Sequence, residues 1–202
     1  MSKENIYIIA EIGINHNGSL EIAKKLIDIA EVAGCHAVKF QKRNPDVCVP
    51  EHQKNIMRDT PWGKMTYLEY KYKVEFGKKE YDEIDQYCRN CDMKWTASPW
   101  DLDSLDFLNQ YDNLPFIKIP SALLTDLELI KKTTETGKRI IISTGMSTLD
   151  EVDAAVNTIR ETKSDASFAV LHCNSTYPAP NNELNLNCIR TLKDRYNCEV
   201  GY

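Results

Sequence analysis

The sequence predicts an α/β fold, and within that class a closed (β/α)8 TIM barrel rather than an open doubly wound sheet. Strand and helix signals alternate along the chain, which argues for a parallel sheet because each parallel return needs a crossover. Polar side chains stand at the carboxyl ends of several successive strands, as at a barrel's mouth, whereas a doubly wound sheet gathers them at one switch point. The third observation is Lys118 in the run Phe116-Ile117-Lys118-Ile119-Pro120-Ser121. Alternation puts Phe116 and Lys118 on one face and Ile117 and Ile119 on the other, and neither face reads as solvent-facing. Desolvating an ammonium is costly unless an anion meets it, so Lys118 implies a buried carboxylate or an anionic ligand.

The elements follow in order. Residues 7–14 read as a strand, and Asn15-His16-Asn17-Gly18 as a turn whose Asn17-Gly18 suits positive φ. Ser19 caps a helix in which Leu20, Ala23, Leu26, Ile27, Ala30 and Ala33 keep the helical period up to Gly34. Residues 37–41 are a second strand. From Lys42 to about Gly77 the pattern is lost, with Pro45, Pro50 and Pro61-Trp62-Gly63 as breakers and a short helix over 67–74. A connection that long in a compact domain reads as a functional loop. Helices are predicted over 78–90, 101–109, 126–136, 149–161 and 186–196. They alternate with strands over 94–98, 116–119, 139–143 and 168–173, and a seventh strand starts at 199.

Composition narrows the function classes. With 202 residues, 42% of them apolar, the chain suits one large domain with a real core. The 25 basic and 30 acidic residues are well mixed, for a net charge of -5. That leaves no basic stripe for nucleic acid and no polybasic membrane anchor. Seven scattered cysteines do not form a disulfide framework and fit a reducing, cytoplasmic setting. Cys88 and Cys91 form one C-x-x-C on a helical pattern, with no second pair to complete a zinc site. The polar opening Met1-Ser2-Lys3-Glu4-Asn5 shows no signal peptide, and no apolar run has the length of a membrane helix.

Alternation turns Glu11 together with Ile9 and Gly13, Lys39 together with Ala37 and Gln41, and Lys118 together with Phe116. Ser98, Ser121, Ser143 and Ser175 end or follow the third to sixth strands. Two ammonium groups facing one pocket repel, by about 4 kcal/mol at ~4 Å and an effective dielectric of 20. A phosphate or carboxylate reverses that sign. The serines and the glycine after Thr144 add hydroxyl and N–H donors for the same oxygens. The set suits a small, multiply anionic substrate, with Glu11 placed for acid/base or charge-stabilising work. The competing reading is a structural Lys–Glu pair, although one carboxylate cannot satisfy two lysines. His16, in the first loop, is either a substrate contact or a turn-stabilising group. His172 reads as a hydrogen-bonded core group, and Tyr67, Tyr70 and Tyr72 read as loop packing or a subunit contact.

Five motifs resemble the sialic acid synthase family, which comprises N-acetylneuraminate synthase and its legionaminic and pseudaminic acid relatives. They are Ile9-Ala10-Glu11-Ile12-Gly13-Ile14-Asn15-His16-Asn17-Gly18, Val38-Lys39-Phe40-Gln41, Ile117-Lys118-Ile119-Pro120-Ser121, Ile142-Ser143-Thr144-Gly145-Met146 and Leu171-His172-Cys173-Asn174-Ser175-Thr176-Tyr177-Pro178. The resemblance implies a barrel that condenses phosphoenolpyruvate with an open-chain N-acyl amino sugar, giving a nonulosonic acid and phosphate by C–O cleavage. By motif position, Lys39, Ser98, Lys118, Ser121, Ser143 and Ser175 hold phosphoenolpyruvate, Gln41 and Tyr177 touch the sugar, and Glu11 sits beside the reacting carbons. It also implies a divalent metal, manganese or magnesium, acting on the sugar aldehyde as a Lewis acid. The ligands of that metal are expected beyond residue 202. A homodimer in the full-length form is implied as well, with no nucleic acid or membrane partner.

Two departures matter. Family enzymes acting on N-acetylmannosamine often carry Ser-Gly-Glu where this chain has Ser121-Ala122-Leu123, which leaves the acceptor sugar open. The sequence also stops at Gly201-Tyr202, inside the seventh strand. The expectation is an incomplete barrel over 1–202, without the eighth unit or the C-terminal antifreeze-like domain, and inactive alone. A Schiff-base sugar-acid aldolase using a strand lysine, and a non-catalytic anion-binding fragment, are the alternative functions.

Overall fold

A computed structural model describes residues 6–202; the opening Met1-Ser2-Lys3-Glu4-Asn5, read above for a signal peptide, lies outside the described residues. The chain forms two compact units, Met1–Leu108 and Asn109–Tyr202.

The first unit opens with β1 (Ile9–Gly13), α1 (Leu20–Val32) and β2 (Ala37–Lys42). Ser19 caps α1 by accepting from the Ile22 N–H at 3.3 Å, and the helix buries Ala23, Ile27 and Ala30 along one stripe. Asn17 and Gly18 both take positive φ, as the turn requires. Gly18 is also sterically fixed, since a Cβ there would lie 2.2 Å from the Lys73 carbonyl oxygen. The first four residues of β2 are buried on both faces, the pattern of a central parallel strand.

The connection after β2, read as loop plus one helix, is more ordered than the sequence suggests. It contains α2 (Pro45–Cys48), α3 (Glu51–Lys54), the antiparallel hairpin of β3 (Met57–Thr60) and β4 (Gly63–Thr66), and α4 (Tyr67–Val74) where a helix was predicted. Pro61 and Trp62 are the hairpin's two turn residues. The hairpin strands are largely exposed and carry no apolar alternation, so periodicity could not reveal them. The turn holds them instead: Thr60 Oγ1 donates to the Gly63 carbonyl at 2.7 Å and accepts from the Trp62 N–H at 3.2 Å. Tyr67, Tyr70 and Trp62 pack on one another beneath Arg58, Lys71 and Lys73, so the tyrosine cluster includes loop packing. The two ends of the excursion are clasped, because Glu75 Oε1 accepts from Lys42 Nζ at 2.8 Å and from the Arg43 N–H at 3.0 Å.

The first unit closes with α5 (Lys78–Asn90), β5 (Lys94–Pro99) and α6 (Leu102–Asn109). Its sheet has the order β1-β2-β5, all parallel, with Glu11 opposite Lys39 and Gln41 opposite Ser98. Trp95 is fully buried in β5, and its indole N–H is satisfied by Asp85 Oδ1 at 2.8 Å.

The second unit is a four-stranded parallel sheet of β6 (Ile117–Ile119), β7 (Ile140–Ser143), β8 (Phe168–Leu171) and β9 (Glu199–Gly201), in that order. Between them run α7 (Leu127–Glu135), α8 (Leu149–Thr162) and α9 (Asn187–Tyr196). Asp126 caps α7, and a Thr148/Glu151 capping box opens α8. Ile117, Ile119, Ile140, Ile142 and Val170 are fully buried and form the sheet's core. Strand β8 ends at Leu171, two residues before the predicted limit, so Ser175 belongs to the following loop rather than to the strand end. No helix among the described residues is long and apolar enough to cross a membrane.

Candidate anion-binding site

Each unit gathers its own polar group at the carboxyl ends of its strands. In the first, Lys39 is 4% exposed in the middle of β2. A buried ammonium must find acceptors, and those of Lys39 Nζ include Glu11 Oε2 at 2.6 Å, Ser98 Oγ at 3.0 Å and the Phe40 carbonyl at 3.3 Å. The Lys–Glu pair that was the competing reading of the sequence is therefore formed, by Lys39. The Glu11 side chain is half exposed. Gln41 lies on the same side of the strand as Lys39, and its amide nitrogen is 3.5 Å from where a Cβ of Gly13 would stand; Glu11 Oε1 is 3.2 Å from that same point.

The loop after β1 is pinned by His16, which is 2% exposed and stacks on Phe76 at 3.9 Å between ring centroids. Its Nδ1 accepts from the Gly18 N–H at 3.1 Å. Burial holds its pKa down to about 4, against an upward pull from the Gly13 backbone, so the ring is neutral. Of the two roles read from the sequence, the structure gives His16 the turn-stabilising one.

In the second unit Lys118 lies on β6 opposite Ile141, between the fully buried Ile117 and Ile119. Ser121 starts a 3-10 turn immediately after β6, and its Oγ accepts from the Gly145 N–H at 3.0 Å. A Cβ at Gly145 would meet Ser175 Oγ at 2.6 Å and Ser121 Oγ at 2.9 Å, so only glycine lets these two hydroxyls converge. The Gly145 N–H, expected as a ligand donor, is engaged by Ser121. Ser143, at the end of β7, is fully buried and its Oγ has no hydrogen-bond partner. Leaving such a hydroxyl unsatisfied costs about 1–3 kcal/mol. Tyr177 stands 92% exposed in the loop beyond Ser175.

The structure thus brings Glu11, Lys39, Ser98 and Gln41 together in one unit, and Ser121 and Ser175 together around Gly145 in the other. Sequence reasoning missed Arg43, which is 7% exposed, lies over the Trp100 ring at 4.1 Å and donates through Nη2 to Gln41 Oε1. The available signal was a basic residue two positions past Gln41, hidden by assigning everything after β2 to loop.

Among the described residues no group of three His, Cys, Asp or Glu side chains could hold a metal ion. His172 Nε2 is 2.8 Å from the Leu184 carbonyl, and His36 Nδ1 accepts from the Ile8 N–H at 3.0 Å. The described residues therefore do not fit the divalent metal that the resemblance implies.

Over 198 residues the chain is 38% identical to the N,N'-diacetyllegionaminic acid synthase of Campylobacter jejuni, covering 96% of this chain and 59% of that protein. It is 40% identical to the N-acetylneuraminate-9-phosphate synthase of Drosophila melanogaster, covering 98% and 54%. The crystal structure of the N-acetylneuraminic acid synthetase from Leptospira borgpetersenii superposes with a TM-score of 0.86 at 30% identity, over 98% of this chain and 64% of that one. The chain spans a little over half the length of these curated relatives. The NeuB family model matches residues 26–202. With β1, β2 and the β6–β8 exits carrying the polar groups described above, the chain belongs to the NeuB family, the sialic acid synthases.

Proposed function

We propose that the chain is part of a (β/α)8 synthase that condenses phosphoenolpyruvate with an N-acyl amino sugar, forming a sialic-type nonulosonic acid and releasing phosphate by C–O cleavage. The observation that carries this reading is the hydroxyl cradle of the second unit. Ser121 and Ser175 converge on Gly145, and two residues earlier Ser143 keeps a buried hydroxyl without a partner. An unspent buried donor at a strand exit suits a ligand rich in oxygen acceptors, such as a phosphate.

In this reading Lys39, Ser98, Lys118, Ser121, Ser143 and Ser175 hold phosphoenolpyruvate, while Gln41 and Tyr177 contact the sugar. Phosphoenolpyruvate must displace an acceptor from Lys39. Glu11 is the easiest to release, because its side chain is half exposed whereas Ser98 and the Phe40 carbonyl belong to the sheet. Once released, the Glu11 carboxylate is free at the exit of β1 to position water or to stabilise developing positive charge. The family's divalent metal would supply Lewis acidity; the described residues do not provide its ligands, and no step here depends on it. Leu123, in place of a sugar-facing carboxylate, favours an acceptor with a deoxy or apolar group, as in legionaminic-type precursors. A homodimer of the full-length protein is part of the same proposal.

The test is Lys118→Met in the full-length protein, which keeps volume and removes the charge-assisted contacts. Calorimetry is expected to show most phosphoenolpyruvate affinity lost; equal binding by wild type and variant overturns the assignment. Borohydride trapping of a carbonyl substrate on Lys118 would instead establish the Schiff-base aldolase.

A further inference from the structure

We infer that Arg43 is a positioning residue that sets the polarity of the sugar site through Gln41; the inference rests on the reading of Gln41 as a sugar contact. Arginine is a donor only, so the Gln41 atom that faces it must be the amide oxygen. Arg43 Nη2 donates to Gln41 Oε1. The amide cannot flip without turning its own N–H groups toward a guanidinium, which leaves Nε2 as the group that Gln41 offers elsewhere. That nitrogen donates to no described residue and lies 3.5 Å from where a Gly13 Cβ would stand. The site at the β1 and β2 exits therefore presents a fixed donor at Gln41. Its preferred ligand is one that places an acceptor oxygen, an acyl carbonyl or a hydroxyl lone pair, against Gln41.

The setting of Arg43 supports a role beyond packing. The guanidinium is stacked on Trp100 and nearly buried, yet Nη1 is left without a hydrogen-bond partner. An apolar side chain would fill this place without that penalty. The backbone of Arg43 is anchored independently, by its N–H to Glu75. The side chain is thus held rigidly at both the stacking and the amide end, which a group that orients another group requires.

The experiment is a double-mutant cycle in the full-length protein, with Gln41→Leu, Arg43→Met and the combination. Steady-state KM is measured for phosphoenolpyruvate and for the best acceptor in a panel of N-acyl amino sugars that includes N-acetylmannosamine. Arg43→Met is expected to raise the sugar KM about tenfold, the effect of losing one well-oriented hydrogen bond. It should leave the phosphoenolpyruvate KM unchanged and add nothing on the Gln41→Leu background. Arg43→Lys, which keeps one donor, should recover part of the loss, and it carries the cycle if Arg43→Met fails to fold. An equal penalty from Arg43→Met with and without Gln41 overturns the inference while leaving the functional reading intact. A Gln41→Leu variant with unchanged sugar KM removes Gln41 from the sugar site and overturns both.

Discussion

In the proposed reading, the two units meet the problem of binding an anion in opposite ways. In the first, the buried cation is already neutralised: Lys39 has Glu11 as an internal counter-ion, and the loop beside it is locked by a neutral, stacked His16. In the second, the donors are partly unspent, with Ser143 unpartnered and Ser121 and Ser175 crowding a glycine. The difference follows from what burial penalises. An uncompensated buried charge costs several kcal/mol, so the chain cannot keep Lys39 waiting for a ligand without a stand-in anion. An unsatisfied hydroxyl costs only about 1–3 kcal/mol and can be tolerated in the free protein.

The comparison breaks most readily at Lys39. Lys39→Met removes the cation and leaves Glu11 free to swing into solvent, because that carboxylate is half exposed. Truncating one partner of a buried charged contact costs about 2–5 kcal/mol in binding. Phosphoenolpyruvate affinity, read by calorimetry, should therefore fall by two to three powers of ten, on the order of those energies. Undiminished binding would mean that the second unit alone carries the anion.

The fixed loop of the first unit can be tested through pH. His16 has a folded pKa of about 4 against an ordinary value of 6.5, so between those values the unfolded chain binds more protons than the folded one. Its contribution is complete above pH 6.5 and is lost as pH falls toward 4, by roughly 3 kcal/mol in total. Urea unfolding at pH 7 and pH 4.5 should show a steeper decline for wild type than for His16→Asn, whose side-chain oxygen can still accept from the Gly18 N–H. Parallel slopes would show that His16 titrates normally.

A subtler test addresses Glu11 as a placeholder. Glu11→Gln keeps an acceptor for Lys39 but removes the charge that phosphoenolpyruvate displaces in the proposed reading. The variant should bind phosphoenolpyruvate about threefold more tightly, a small gain because the pair is partly solvated, while phosphate release slows sharply. Weaker binding together with slower turnover would make Glu11 a direct ligand contact instead.

Legibility from sequence divided along physical lines. All seven strands of the two parallel sheets were readable, because buried runs such as Ile140-Ile141-Ile142 leave no other interpretation. Helices α1, α5 and α8 were readable from their helical pattern, with a capping signal at Ser19 for α1. The β3–β4 hairpin was not, since exposed Arg58, Asp59 and Lys64 follow turn chemistry rather than burial. At the site, alternation turned Glu11 and Lys39 each inward on its own strand, and the strand register sets them opposite one another. It could not show that the two would pair, nor that Arg43 would reach back to Gln41, because side-chain contacts across a loop leave no periodic trace.

A small expected effect is the most diagnostic of the second unit's strategy. Ser143→Ala deletes a hydroxyl that is fully buried and has no partner, and it leaves a methyl of nearly the same shape. In an ordinary core, removing a hydrogen-bonded serine hydroxyl destabilises; here there is no hydrogen bond to lose, so the free protein should gain about 1 kcal/mol of stability in denaturant unfolding. If the hydroxyl is held in reserve for the anion, the same substitution should weaken phosphoenolpyruvate binding about fivefold, equivalent to roughly 1 kcal/mol. The opposite signs of the two effects carry the argument. A variant that is stabilised and binds normally would make Ser143 a packing serine, and a variant that loses stability would mean that its hydroxyl is satisfied in the free chain. Stability gained and affinity lost together would identify the second unit as the part of the molecule that gives up folding energy to keep a donor ready.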